Sequence, residues 1–556
     1  MKAAEFPSFD TAMERLGARG VAEAAPGRTR IRVLSILLLV LFLGLAARAV
    51  QLAVMGAPSD SANKSVAAPQ IVRADLTDRN GVLLATTIPA FQLTAEPKKV
   101  WDAPSVARQI VRVLPDLDLG DVRRKLEQRE REIVYLRRDL TPRQRDTLLN
   151  LGLPGIGFAN QDRRIYPQGD LAAHVLGVIN AQRAGAAGVE LGLDDQIRRS
   201  GAAGDVIRLS LDVRVQHAVE AELESAIKTT QALGGAGIVL DGRTGEILAM
   251  ASAPSFDPNA PPPFDDKRRL NKAAGAVYEM GSTIKPFTIA AALDAQLTTI
   301  DERFDLSKPI ELSGYTIKDD EQLGASTPLP EALAKSSNIM AARLAMRIGA
   351  DRQKDMLTRL GLYDRAAVEL PESARPLPPQ DSAPLTVAVL GYGHGMAMSL
   401  VALSGAYTVF VNKGARVTPT MQARSAGDEI AKTQVFTPQS TAALLAMMRQ
   451  TITIGTAQRT DLKMLDIAGK TGTAEKPKER GGGYSQDRML SSFAAIFPAS
   501  DPHYVILVAL DEPRRTAAYG NLVTGGAVAA PAAGRIAARI APLLGVKATG
   551  NGGESP

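Results

Sequence analysis

GGAGIVLDGRTGEILAMAS, residues 234–252, is two apolar runs closed around a short polar turn. GGAGIVLD (234–241) and EILAMAS (246–252) have the length and content of strands, and the GRTG between them suits a tight connection. A matching pair lies far along the chain: SSFAAIF (491–497) and YVILVAL (504–510), separated by PASDPH. Between the pairs stand Ala- and Leu-rich helical stretches at 286–295 and 330–348, and GGAVAAPAAGRIAARIAPLL follows as an amphipathic helix. Strands at both ends with helices between predict one sheet assembled from distant segments. The expected class is α/β (α+β), with helices on both faces of an antiparallel sheet over residues 226–545.

Upstream the texture differs. After a polar linker, PSDSANKS (58–65), residues 57–225 alternate β-like runs such as FQLTAE with charged helical stretches such as DVRRKLEQREREIVYLRR. This is expected to be an extended, irregular α+β module that gathers no catalytic groups. VLSILLLVLFLGLAA (33–47) carries no charge, and apolar character resumes after Arg48 through AVQLAVMGA. Spanning a bilayer takes ~20 residues, so 33–56 is assigned as a membrane helix. Arg28, Arg30 and Arg32 place residues 1–32 in the cytoplasm and everything after residue 57 outside it. A core helix is rarely apolar on every face. A cleaved signal peptide would use Ala47-Arg48-Ala49, but the leader is long and the apolar run continues past that site. Residues 546–556 are expected to be a disordered tail.

Bulk composition narrows the function. A chain of 556 residues, 45% hydrophobic and 22% charged, is globular and holds two or more domains. Its net charge of +6 is spread out and aromatics are only 4%, which argues against nucleic-acid binding. The absence of cysteine excludes disulfides, thiolate metal sites and thiol nucleophiles. His174, His217, His394 and His503 lie far apart, so neither a metal nor any other cofactor is implied.

Chemistry concentrates in three short motifs: Ser282-Thr283-Ile284-Lys285, Ser336-Ser337-Asn338 and Lys470-Thr471-Gly472. Ser61-Ala62-Asn63-Lys64 in the linker imitates the first by chance, so order and context must carry the argument. On a helix, residues i and i+3 share a face, which aims Ser282 and Lys285 the same way. Pro286 clashes with the carbonyl four residues back, so Ser282 must sit at the very start of the helix, after Gly281. There the helix's positive end favours a developing oxyanion. A serine hydroxyl needs a base; Lys285 serves only if partly neutral, and burial beside a second cation, Lys470, would lower its pKa. Ser336 is placed to relay a proton and Asn338 to hold Lys285 and a substrate amide, against the plainer reading of a helix cap. MLDIAGKTGTAEK reads as a strand in which Gly472 allows close backbone approach, with Lys470, Thr471 and Thr473 receiving a carboxylate. A phosphate loop is excluded, since Met464 stands where its first glycine is needed.

With these motifs in this order, the chain resembles the class B penicillin-binding proteins, and within them the cell-division branch, the FtsI type. The surrounding wording supports this: NKAAGAVYEMGSTIKPFT (271–288), SFDPN (255–259) and GYGHG (391–395). Upstream, RADLTDRNG (73–81), RRIYPQG (163–169), HVLGVIN (174–180) and GVELGLDD (188–195) match the family's pedestal. The resemblance implies a peptidoglycan D,D-transpeptidase. Ser282 would be acylated and Lys285 would take its proton, with Ser336 and Asn338 as a second wall. Lys470, Thr471, Gly472 and Thr473 would bind the substrate carboxylate, and the backbone N–H groups of Ser282 and Thr473 would form the oxyanion hole. The implied donor is a stem peptide ending in D-Ala-D-Ala, with β-lactams as covalent inhibitors. The pedestal, seeded by 73–81 and 163–169, would face an FtsW-like septal polymerase and other division proteins. GYGHG is followed by MAMSLVAL rather than the family's V-T-P-L-Q stretch, so 396–403 is given only a structural role. Three alternatives stand beside this: an elongation-type transpeptidase, a hydrolase (carboxypeptidase or β-lactamase), and a β-lactam-binding sensor. Ser-Ser-Asn and Glu279 speak against the first, the lack of a placed glutamate base against the second, and the intact motifs against the third.

Overall fold

The structure is a computed structural model that describes residues 28–55, 73–458, 465–478 and 483–546. The leader to residue 27, expected to be cytoplasmic, the linker and the tail therefore lie outside the described residues. Two units are separable, before and after Ile71. The first contains α1 (Arg28–Met55), uncharged from Val33 to Ala47, the one helix among the described residues long and apolar enough to cross a membrane.

In the second unit the pedestal is built on a sheet of β1 (Asp75–Thr77), β2 (Leu83–Ala95), β3 (Val134–Leu140), β4 (Ile156–Ile165) and β5 (Val206–Arg208). A buried ionic cluster closes it. Glu190 accepts from Arg164 Nε at 2.7 Å and from Arg73 Nε at 3.0 Å, while Arg73 Nη1 reaches Asp194 at 2.5 Å. Both arginines and Glu190 are buried. Arg73 of RADLTDRNG and Arg164 of RRIYPQG thus point inward and tie the pedestal together. Charges so far from water persist only when fully paired.

Helix α2 (Val213–Thr230) follows, then β6 (Gly234–Asp241) and β7 (Ile247–Ala253). Next come α3 (Lys285–Asp294), α4 (Leu329–Ala334) and α5 (Asn338–Ile348). The chain returns to the sheet through β8 (Ala468–Pro477), β9 (Tyr484–Phe497) and β10 (Tyr504–Asp511) and ends in α6 (Ala529–Ile540). The five strands pair antiparallel in the order β8-β9-β10-β6-β7. Side chains alternate between faces. Ile238, Leu240, Val505 and Leu507 enter a core shared with α3 and α5, while Val239, Ile506 and Val508 enter another shared with α2 and α6. The α/β class and the helices on both faces are as the apolar runs imply. Helix α2 packs with these strands, although its first residues precede the boundary expected near 225.

SFDPN fastens the two parts. Asn259 Oδ1 accepts from Tyr166 N and its Nδ2 donates to Tyr166 O, both at 3.0 Å. Ser255 Oγ adds a bond to Asp170 O at 3.2 Å.

Candidate active site

Gly281–Ile284 form a tight 3-10 turn that runs into α3 at Lys285. Gly281 has φ +53, which a side chain adopts with difficulty, so glycine starts the turn that presents Ser282. Lys285 N donates to Ser282 O within the turn, and Tyr407 Oη donates to Thr283 O at 2.7 Å, fixing it from below. Ser282 therefore stands at the mouth of the helix, half-buried, where its Oγ has no hydrogen bond among the described residues.

Lys285 is fully buried, and its ammonium meets Ser336 O at 2.5 Å, Asn338 Oδ1 at 2.7 Å and Ser336 Oγ at 3.1 Å. Lys470, equally buried on β8, donates to the same Ser336 Oγ at 2.8 Å and to Thr471 O at 3.1 Å. One hydroxyl thus lies between two lysines from remote segments. Burial lowers Lys285 to about 7, opposed by the charges of Asp319 and Asp320. Burial lowers Lys470 well below its ordinary value, and the charge of Lys285 lowers it further. Repulsion between the two ammonium groups is reciprocal, so Lys470 is the second cation expected beside Lys285. The two share a site that holds its second proton poorly.

Ser336 lies in the short break between α4 and α5 with φ +61, a left-handed conformation that a non-glycine residue adopts at some cost. That kink turns both its carbonyl and its hydroxyl toward Lys285. The helix cap anticipated for this motif is Ser337, whose Oγ accepts from Met340 N at 3.0 Å. Capping and chemistry are divided among neighbours: Ser337 caps, while Ser336 and Asn338 face the lysines.

Strand β8 is an edge, paired only with β9 among the described residues, so no strand covers its other side along Lys470–Thr473, where Lys470, Thr471 and Gly472 are buried and Thr473 is half-buried. Thr473 O lies 3.1 Å from where a Cβ on Gly281 would stand, so this residue's carbonyl, and with it its N–H, faces the nucleophile turn. Thr473 Oγ1 accepts from Gly525 N at 3.0 Å, and Thr471 Oγ1 lies 2.6 Å from Thr456 Oγ1. Gly472 serves internal packing: a Cβ there would come within 2.7 Å of Met280 O and 2.9 Å of Thr283 Cγ2. The close approach expected for a substrate is at this position an approach of the nucleophile turn to the strand.

Two features were missed in the sequence. The GYGHG turn touches the nucleophile segment directly: Gly281 N donates to Gly393 O at 3.2 Å and Thr288 Oγ1 donates to Gly391 O at 2.8 Å. Glu279 accepts from Gly395 N at 3.2 Å and from Tyr484 Oη at 2.9 Å, which adds an aromatic side to this wall. His394 sits among Tyr392 and Tyr484; burial and the charge of Lys285 lower it to about 4, which keeps its ring neutral. Three glycines within five residues were the available signal. The second missed feature is Asp319, whose carboxylate accepts from the backbone N–H groups of Asn338 and Ile339. No local pattern marks it.

Comparison with known proteins shows the family. Residues 235–538 match the penicillin binding protein transpeptidase domain and residues 70–205 the penicillin-binding protein dimerisation domain. The chain is 41% identical over 483 residues to the probable peptidoglycan D,D-transpeptidase FtsI of Caulobacter vibrioides, covering 85% of this chain and 82% of that one. It is 28% identical to the peptidoglycan D,D-transpeptidase FtsI of Escherichia coli, covering 84% and 82%. Among solved structures, penicillin binding protein 3 of Mycobacterium tuberculosis complexed with aztreonam superposes with a TM-score of 0.68 at 26% identity, over 86% of this chain and 98% of that chain.

Proposed function

This chain belongs to the penicillin-binding protein transpeptidase family, and from that premise we propose that it is a peptidoglycan D,D-transpeptidase forming stem-peptide cross-links at the division septum. The observation that carries the reading is the meeting of Lys285 and Lys470 at Ser336 Oγ beside the turn that presents Ser282.

In the first half-reaction Ser282 Oγ attacks the carbonyl carbon of the penultimate D-Ala of a donor stem. The hydroxyl proton passes to neutral Lys285, and the oxyanion is held by the N–H groups of Ser282 and Thr473. The C–N bond to the terminal D-Ala then breaks. Its nitrogen takes a proton from Lys285 by way of Ser336, whose hydroxyl both lysines contact. Lys470, Thr471 and Thr473, at the unpaired edge of β8, bind the terminal carboxylate. In the second half-reaction the amine of a neighbouring stem attacks the acyl carbon and loses a proton to the same relay, which returns one to Ser282 Oγ as the acyl C–O bond breaks. A β-lactam enters as the donor does, and its ring opening leaves the acyl group on Ser282.

Membrane attachment follows from α1. The cytoplasmic N-terminus and the periplasmic position of the catalytic domain rest on Arg28, Arg30 and Arg32. The domain limits adopted are the pedestal at 57–225 and the transpeptidase at 226–545. The placement at the septum and the expected partners, an FtsW-like polymerase and other division proteins, rest on the resemblance to the division branch. A direct test is incubation of the full chain with glycan strands bearing stems that end in D-Ala-D-Ala. Release of D-Ala together with cross-linked stem dimers is expected. D-Ala release without dimers would make the enzyme a carboxypeptidase and overturn the proposal.

A further inference from the structure

Asp319 follows the short strand Tyr315–Ile317 and reaches across to the start of α5. Its Oδ1 accepts from Asn338 N at 2.6 Å and Ile339 N at 3.0 Å, and its Oδ2 accepts from Ser337 Oγ at 2.7 Å. With Met340 N bonded to Ser337 Oγ, the first three free N–H groups of the helix are satisfied. The neighbouring carbonyl, Lys318 O, accepts from Asn338 Nδ2 at 3.0 Å. This settles which way the Asn338 amide faces: its nitrogen is held by Lys318 and its oxygen is turned to Lys285. On the other flank Glu321 pairs with Lys335 at 3.2 Å. Residues 318–321 therefore grip 335–339 from both ends of the serine motif.

We propose that Asp319 is a positioning residue for the transpeptidation assigned above: by clamping the start of α5 it holds Ser336 and Asn338 against Lys285. The inference rests on that reading of Ser282 and Lys285 and goes beyond it. Asp319 touches no reacting atom; it acts through Asn338. A helix cap alone would need only Ser337, which is already in place. The additional carboxylate contributes orientation and a fixed negative charge. Lys285 is faced by Asp319 and Asp320 from this loop, by Lys470 from β8 and by His394 from the GYGHG turn. The two carboxylates favour its protonated form, and the neighbouring lysine is the one opposing cation.

The test compares Asp319→Asn and Asp319→Ala in the full chain, in detergent, by the second-order rate of acylation with a fluorescent penicillin from pH 5.5 to 9. Asparagine keeps an oxygen for the two backbone N–H groups and removes the charge. Its rate at pH 8 should stay close to that of the wild type. Its acid limb should move to lower pH by roughly one unit, because Lys285 loses its proton more readily without the adjacent carboxylate. Alanine removes the clamp as well, and loss on the order of 100-fold is expected from misplacement of the relay. An Asp319→Asn limb that coincides with the wild type, or an Asp319→Ala rate equal to it, would overturn the proposal. If alanine prevents folding, the asparagine limb alone decides. A wild type that takes up no penicillin would instead refute the transpeptidase reading itself.

Discussion

Replacing Gly393 by alanine should disable Ser282 without touching any group that takes part in the chemistry. Gly393 has φ +86, and a Cβ built there would stand 2.1 Å from Gly281 O and 2.7 Å from Gly281 C. A comfortable C···O separation is roughly 3.3 Å, so one of the two backbones must retreat by about 1 Å. The GYGHG turn is held by Thr288 and Glu279, while Gly281 belongs to the turn that carries Ser282. Part of the displacement therefore reaches the nucleophile. A misplacement of that size costs on the order of 100-fold in rate. The stability cost should be modest, about 1–3 kcal/mol of overpacking. Gly395→Ala is the matched control. It lies in the same turn with φ +78, and its Cβ would meet only Val389 Cγ2 at 3.7 Å. Penicillin acylation followed by stopped gel fluorescence, beside thermal melting of each variant, separates the effects. Both variants should melt lower, and only Gly393→Ala should acylate slowly. Equal acylation by Gly393→Ala and the wild type would refute the claim that this turn fixes the position of Ser282.

Two further outcomes are expected. Because Lys285 must be neutral to accept a proton and is lowered to about 7, acylation should fall as pH drops through that value. From pH 8 to pH 6 the loss should be about tenfold; a flat profile over this range would exclude Lys285 as the base. In the pedestal, Glu190→Gln leaves Arg73 and Arg164 buried with half their compensation. A loss of about 3–5 kcal/mol is expected, read as a lower denaturation midpoint, whereas a shift within experimental error would show that the cluster contributes little.

What could be read from the sequence was what is encoded locally. Strand runs such as YVILVAL declare themselves because their apolar residues face two cores at once. Ser282 and Lys285 are joined by helical spacing, and Pro286 fixes where that helix begins. What escaped depends on chain returning from elsewhere. Asp319 is one polar residue among several in a polar loop, and its role arises only when that loop crosses α5. Ser336 gave no sign of its left-handed backbone, since serine does not favour that conformation. The burial of Arg73 and Arg164 is likewise visible only once Glu190 is brought between them. The GYGHG turn served only as wording that supports the resemblance, although its glycines mark a backbone packed against something.

The most direct measurement of the central claim is the site of covalent attachment. The full chain is treated with benzylpenicillin, digested, and the modified peptide sequenced by mass spectrometry, in parallel with Ser282→Ala. The account predicts a single adduct on Ser282 that vanishes in a variant melting at the wild-type temperature. An adduct on another residue, or one that persists in Ser282→Ala, would contradict it.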